Sequence, residues 1–426
     1  MGRDREPVSR VTGQAVAALL VALAAACLLP ACGREPAGGE TVLNWYVFNE
    51  PSGAFVEAAR VCSRASHGAW RVRVKLLPAD ASQQREQLVR RLAARDSDID
   101  LIGMDVIWTA EFAAAGWILP WPESRAAAAR EDRLQAAVTS ASYDGRLWAA
   151  PFTTNTQLLW YRTDRVAQPP KTWDAMIGMA EALGPQGTIE VQGERYEGFT
   201  VFFVSLLASA GGRVLAPDAQ TPALPEPPTH EALAIMRRLA RSAAADPGLA
   251  HAREDQARLA FESGEASFMV NYTYVWPSAN ANAPEVARHM GWARWPAVDA
   301  RHPSRVTIGG INLGVGAFTR YPQAAFAAAA CIAGRDNQRL AAVRGGLPPT
   351  RASLYDTPEV RAAFPFADVL LATLRDAVQR PQTPLYNDVS LAISRTLHPM
   401  RDIRPDRDAA RLQHNLEQAL QSGGLL

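Results

Sequence analysis

The chain has 426 residues, of which 48% are apolar and 20% charged, and its formal net charge at pH 7 is +1. That composition excludes a disordered or fibrous chain, and the balance of 44 basic against 43 acidic residues leaves no electrostatic footprint for nucleic acid. The length exceeds what one core usually organises, so two domains of somewhat under about 200 residues are expected.

The first element is not part of the fold. Arg3, Arg5 and Arg10 form a basic start, AVAALLVALAAACLLPA is an apolar core, and the run stops at Cys32 before Gly-rich polar sequence. This is an export signal over residues 1–31, with 32–40 as a flexible tether. Leu29-Pro30-Ala31-Cys32-Gly33 resembles a bacterial lipobox, although Pro30 is an uncommon choice within it. An ordinary secretory signal with an incidental Cys32 is the alternative. Lipidation would anchor the protein stably, because two or more acyl chains hold on a bilayer where one does not.

TVLNWYVFN, from Thr41 to Asn49, is a β-branched and aromatic strand. Phe55, Ala58, Ala59 and Cys62 follow at helical spacing. RVRVKLL then alternates strictly, a helix places Leu88, Val89, Leu92 and Ala93 on one face, and IDLIGMD is a third strand. The β-α-β-α-β order predicts an open parallel sheet with crossover helices, whose ligands bind beyond the carboxyl ends of the strands. Asn49, Glu50 and Asp105 stand at those ends. Asp105 could equally cap the helix in VIWTAEFAAAG, but Thr109 is available as that cap. Further on, Thr153, Thr154 and Asn155 break the apolar run WAAPFTTNTQLLWYR. A buried amide without a partner costs about 1–3 kcal/mol, so either the chain turns to solvent there or these side chains face something polar. Gly314-Val315-Gly316 lacks a third spaced glycine and reads as a bend in a buried strand. After Cys32 the mature chain has only Cys62 and Cys331, both in Ala-rich helical contexts. Outside the cytoplasm a disulfide is open to them, as is a pair of buried thiols. No CxxC or HExxH motif is present, and no metal or cofactor is expected.

YDGRLWAAPFTTNTQLLWYRTDRVAQPPKTWDAMIGMAEAL, ARLAFESGEASFMVNYTYVW and GGLPPTRASLYDTPEV resemble hallmark segments of the extracellular solute-binding proteins of ABC sugar importers. The resemblance covers essentially everything after Thr41. Within that family the motifs look most like an actinobacterial, trehalose-binding lipoprotein branch. It implies an α/β, two-lobed periplasmic-binding-protein fold, type II-like, with a mainly parallel sheet flanked by helices in each lobe and a hinge of crossing segments near residues 150, 306 and 348. Lobe I would take 41–150 and 307–347, and lobe II 151–306 and 348–426.

By the same resemblance the ligand contacts are Asn155 at the floor of the cleft, Glu254, Tyr272, Gly345 and Arg380. Asn49, Glu50, Gln84, Asp105 and Trp276 complete the candidate set. These types suit a sugar: carboxylates, amides and guanidinium groups pair with hydroxyls that both donate and accept, and aromatic rings pack on pyranose faces. Of Tyr272, Tyr274 and Trp276 only one or two should touch ligand, since aromatic stripes are more often core. The implied role is a monomeric, lipid-anchored binding protein on the outer face of the cytoplasmic membrane, handing a disaccharide, trehalose by resemblance, to permease subunits. Another oligosaccharide or a ligand of glycerol-phosphate type is a second reading. A secreted glycoside-acting enzyme is a third, with Glu50 and Asp105 as its carboxylates, but no acid has a visible reason for a raised pKa, so no enzyme is expected.

Overall fold

The computed structural model describes residues 1–2 and 40–421. The signal and Cys32 lie outside the described residues. Two sheets organise the body of the chain. The first has the order β2-β1-β3-β11-β6 and the second β10-β7-β9-β8. Here β1 is Thr41–Phe48, β2 Trp70–Leu77, β3 Leu101–Asp105, β6 Ala149–Asn155, β7 Leu158–Arg162, β8 Thr188–Glu190, β9 Ala266–Asn271, β10 Met290–Ala293 and β11 Gly309–Val315. A small hairpin pairs β4, Ser142–Tyr143, with β5, Arg146–Leu147.

The amino-terminal half of the first sheet follows its hydrophobic pattern. β1 pairs in parallel with β2 and β3, and the connecting helices run Ala54–Ala65 and Ala81–Ala93. The first buries Phe55, Ala58, Ala59 and Cys62. The second starts at Asp80, whose carboxylate accepts from the Gln83 amide at 3.0 Å, satisfying a first-turn donor that the helix cannot.

β11 and β6 correct the expectation of mainly parallel sheets. β11 runs antiparallel to both β3 and β6, and in the second sheet only the β8–β9 pair is parallel. The cause is the path of the chain. β6 leaves the first sheet at Asn155 to become β7 in the second, and β11 returns from the second sheet into the first, so it enters from the opposite end.

β7 and β9 alternate between two cores, as strands buried on both faces must. Leu159, Phe268 and Val270 face one cluster, while Leu158, Trp160, Ala266 and Met269 face the other. The helix Glu197–Ser209, EGFTVFFVSLLAS, is apolar almost all round and therefore buried. The carboxy-terminal helices Tyr386–Leu397 and Pro405–Gln421 contribute Val389, Ile393, Leu412 and Leu416 to the same core. The stretch 276–303, which carries little pattern in sequence, contains the end of a helix at Val275–Asn282, a short one at Pro284–Ala287, and β10.

Cys62 and Cys331 form a disulfide across a sequence separation of 269 residues, tying the helix Ala54–Ala65 to the helix Pro322–Ile332. Such a bond limits the unfolded chain most when the loop it closes is long. Among the described residues no helix is long and apolar enough to cross a membrane.

Candidate functional site

Arg380 stands at the junction of the two lobes and is 6% exposed. One guanidinium nitrogen, Nη1, donates to Glu197 Oε1 at 2.8 Å, and the other, Nη2, donates to Asp105 Oδ1 at 3.2 Å and the Ile308 carbonyl at 3.4 Å. Asp105 closes β3 of the first lobe, and Glu197 opens the buried helix of the second. One cation thus holds a carboxylate from each side. Burial opposes the Arg380 charge, but Asp105, Tyr386 and Glu197 facing it outweigh burial and raise its pKa above the ordinary guanidinium value. A buried cation of this kind needs close counterions to offset its desolvation.

Glu197 is saturated from the far side. It accepts from the Tyr386 hydroxyl and from Ser390 Oγ at 2.6 Å. Burial and the adjacent Glu197 push the Tyr386 phenol well above its usual range, so it stays protonated and donates.

Tyr272 follows β9; burial pushes its phenol well above the usual range, with Glu254 adding to the shift and Arg380 opposing it. Glu254 begins the helix Glu254–Glu262. Burial pushes its carboxyl up, with the Tyr196 hydroxyl working against that shift. Its neighbour Arg253 is a second bridge between lobes. It donates to both oxygens of Glu194 at 2.8 and 2.6 Å, and to Asp80 Oδ2 of the first lobe at 2.9 Å. Its guanidinium also lies 4.6 Å from the Tyr196 ring centre, within cation–π range.

Three polar atoms in this region are buried without a protein partner, Asn155 Oδ1, Arg380 Nε and the Tyr196 hydroxyl. The first two adjoin consecutive residues of the returning chain, Gly309 and Ile308. Arg380 touches the Ile308 carbonyl, and Asn155 lies over Gly309, where an added Cβ would come within 2.1 Å of Asn155 Oδ1. Only glycine admits the amide there. An unsatisfied acceptor and an unsatisfied donor are the complement of a hydroxyl, which is both.

The other sequence-predicted residues distribute as follows. Glu50 accepts from Ser52 N at 2.8 Å, Ser52 Oγ at 2.7 Å and Ala54 N at 2.9 Å, so its carboxylate caps the helix Ala54–Ala65. Gly345 lies against it, since a Cβ there would come within 3.0 Å of Glu50 Oε1. Asn49 is exposed. Gln84 is buried and donates to the Ala79 carbonyl at 3.3 Å. Trp276 packs edge-on against Trp292 and Phe366, and the Tyr274 hydroxyl donates to Asp255 at 3.0 Å. Thr153 and Thr154 are buried. Thr154 Oγ1 donates to the Gly309 carbonyl at 3.3 Å and its amide to Pro348 O at 2.8 Å, so strand pairing satisfies this polar residue.

The helical cap needs correction. Asp105 Oδ1 accepts from the Ile107 amide at 3.2 Å, whereas Thr109 lies inside the helix Thr109–Ala114 and accepts from Asn312 Nδ2 at 3.3 Å. Asp105 therefore caps and holds Arg380 with the same oxygen.

Two small cavities lie in this cluster, one of about 10 Å³ lined by Arg380 and Ile107 and one of about 20 Å³ lined by Ile107, Glu197 and Tyr386. Each has room for about one water, whereas pockets for small molecules run to ~300 Å³ or more. A larger groove of about 630 Å³ lies between the β4–β5 hairpin and residues 217–220, and none of the sequence-predicted residues lines it. Among the described residues no cluster of His, Cys, Asp or Glu is suited to a metal.

Sequence reasoning missed Glu197, Tyr386 and Ser390. The only signal was ERYEGF before an apolar helix, and an acidic residue in a first turn reads as ordinary dipole compensation.

Comparison with known proteins agrees with this architecture. A curated relative from Deinococcus radiodurans, a probable ABC transporter-binding protein, is 28% identical over 343 residues, covering 77% of this chain and 81% of its own. Maltose-bound T. maritima MalE3 superposes with a TM-score of 0.81 at 26% identity, over 89% of this chain and 99% of that one. The GacH receptor of Streptomyces glaucescens shares the fold, with a TM-score of 0.80 at 20% identity, covering 90% of this chain and 99% of its own. These relatives are binding proteins, which leaves the Glu50 and Asp105 pair no enzymatic precedent. The family model for bacterial extracellular solute-binding proteins matches residues 62–367. The chain belongs to the bacterial extracellular solute-binding proteins.

Proposed function

We propose that the protein captures a neutral disaccharide, trehalose, between its lobes and delivers it to an ABC importer. The observation that carries this reading is the pair of unsatisfied buried atoms, Arg380 Nε and Asn155 Oδ1, set among Asp105, Tyr272, Glu197 and Glu254. Family membership places the work outside the cytoplasm, and T. maritima MalE3 is a maltose-bound relative. Trehalose itself rests on the motif resemblance in TTNTQLLWYR, VTIGGINLGV and GGLPPTRASLY.

Lobe I is the part built on the first sheet, which includes β11 and β6 through Asn155, and lobe II the part built on the second. Ligand enters when the lobes part about the crossing segments, and contacts from both lobes then stabilise the closed form. Arg380 and Arg253 are ionic links between the lobes. A lipid on Cys32 holds the protein at the membrane, so Cys32→Ala should leave a folded protein in the soluble fraction after a salt wash; membrane sedimentation of that variant would contradict it.

Calorimetric titration tests the sugar reading, with small-angle scattering on the same samples. Trehalose should bind and reduce the radius of gyration, while glucose, which offers half the hydroxyl pattern, binds far more weakly. Heat without compaction would contradict hinge closure, and absence of heat with trehalose and maltose alike would contradict the function.

A further inference from the structure

We propose that Glu197 is a specificity-determining residue that closes this site to anionic ligands, by claiming the charge of Arg380 before any ligand can. The proposal rests on the reading that the sugar lies at Arg380. An arginine buried at a ligand junction normally signals recognition of a carboxylate or phosphate, because its planar fork matches them in two parallel bonds. Here the fork is occupied. Nη1 is given to Glu197 at 2.8 Å and Nη2 to Asp105 at 3.2 Å. Only Nε lacks a partner, and one nitrogen cannot make a bidentate bond to an anion.

The local charge points the same way. Arg380 is one cation shared by two carboxylates, Glu197 at 2.8 Å and Asp105 at 3.2 Å. Two negative charges therefore face one positive, and the cluster is net negative. A phosphate adds about −1.5 to −2 at neutral pH and would be repelled at short range, where charges interact strongly. Asp105 has a structural reason to be there, since it also caps the turn at Ile107. Glu197 has a different set of partners. Its other bonds come from Tyr386 and Ser390, groups whose effect is to hold the carboxylate against the guanidinium. The excess negative charge therefore traces to Glu197, and a ligand of glycerol-phosphate type does not fit.

The test is calorimetric titration of trehalose and trehalose 6-phosphate into the wild type, Glu197→Gln and Glu197→Asp. Wild type should bind the phosphate at least about a hundredfold more weakly than the neutral sugar. Glu197→Gln preserves shape and removes charge, and should narrow that ratio at least tenfold; Glu197→Asp should keep the wild-type ratio. Equal weakening of both ligands in Glu197→Gln would make Glu197 a merely structural support and overturn the proposal. A variant that fails to fold does not remove the test, because wild type alone carries a second readout. Salt screens repulsion, so the phosphate should bind more tightly as sodium chloride is raised, while trehalose stays flat. Tighter phosphate binding at low salt would overturn the proposal. If wild type binds neither sugar, the reading of the site falls and this inference with it, whereas phosphate binding equal to trehalose overturns the inference alone.

Discussion

Arg380→Met should abolish measurable sugar binding, a loss of at least a hundredfold, and lower stability by about 3–5 kcal/mol. Both effects follow from the same geometry. Methionine keeps the apolar stem and removes the guanidinium, so Glu197 loses its 2.8 Å partner and Asp105 its 3.2 Å partner. Each carboxylate is then left partly buried without a counterion, and the desolvation already incurred on folding is no longer offset. Denaturant unfolding followed by its midpoint measures the stability change, and titration measures the binding. The two can be separated. Arg380→Met combined with Glu197→Gln removes one orphaned charge and should recover part of the stability while binding stays lost. Recovery of binding in the double variant, or normal affinity in the single one, would take Arg380 out of the site.

Glu190→Gln should act in the opposite direction and only at the higher end of the pH range. Glu190 lies on β8 and is 2% exposed, and one of its oxygens has no protein partner. Burial raises its pKa from 4.5 to about 8, with Asp246 and Glu265 adding repulsion. The folded state therefore holds this proton more tightly than the unfolded chain does. Below about pH 4.5 both states are protonated and the group costs nothing; as pH rises towards about 8 the folded state progressively loses stability relative to the unfolded one. At about 1.4 kcal/mol per unit the full cost approaches ~5 kcal/mol as an upper bound. Glutamine cannot ionise. The variant should match wild type at pH 4, exceed it by several kcal/mol above pH 8, and show a flatter stability profile between. A parallel shift at all pH values would mean that Glu190 is not the titrating group.

The elements most legible in sequence are those whose side chains obey one local period. β1, β2 and β3 are of this kind, because RVRVKLL and its neighbours alternate or run apolar between helices of clear periodicity. The direction of β11 in the first sheet, and of most strands in the second, was not legible. It depends on where the chain re-enters a lobe after a long excursion, as β11 does at Gly309, and no local pattern encodes that. The polar break at Thr153 and Thr154 left two readings open, a turn to solvent or a polar surrounding, and Thr154 meets the second through the Gly309 and Pro348 carbonyls. Arg380 was reached through family resemblance, since an arginine beside a proline carries no periodic signal. Glu197 could not be reached at all, because its partners lie 183 to 193 residues away in sequence.

The capping role of Asp105 also changes how that residue should be probed. Alanine would remove the Ile107 cap and the Arg380 partner together, so lost affinity and lost stability would arrive mixed. Asparagine keeps an acceptor for Ile107 and weakens only the ionic contact.

The most direct measurement is a crystal structure of the protein grown with trehalose. The account predicts sugar between the lobes, with a hydroxyl accepting from Arg380 Nε and donating to Asn155 Oδ1, and the Tyr272 ring beside a pyranose face. Trehalose bound instead in the groove between the β4–β5 hairpin and residues 217–220, with Arg380 Nε and Asn155 Oδ1 still without a partner, would contradict it.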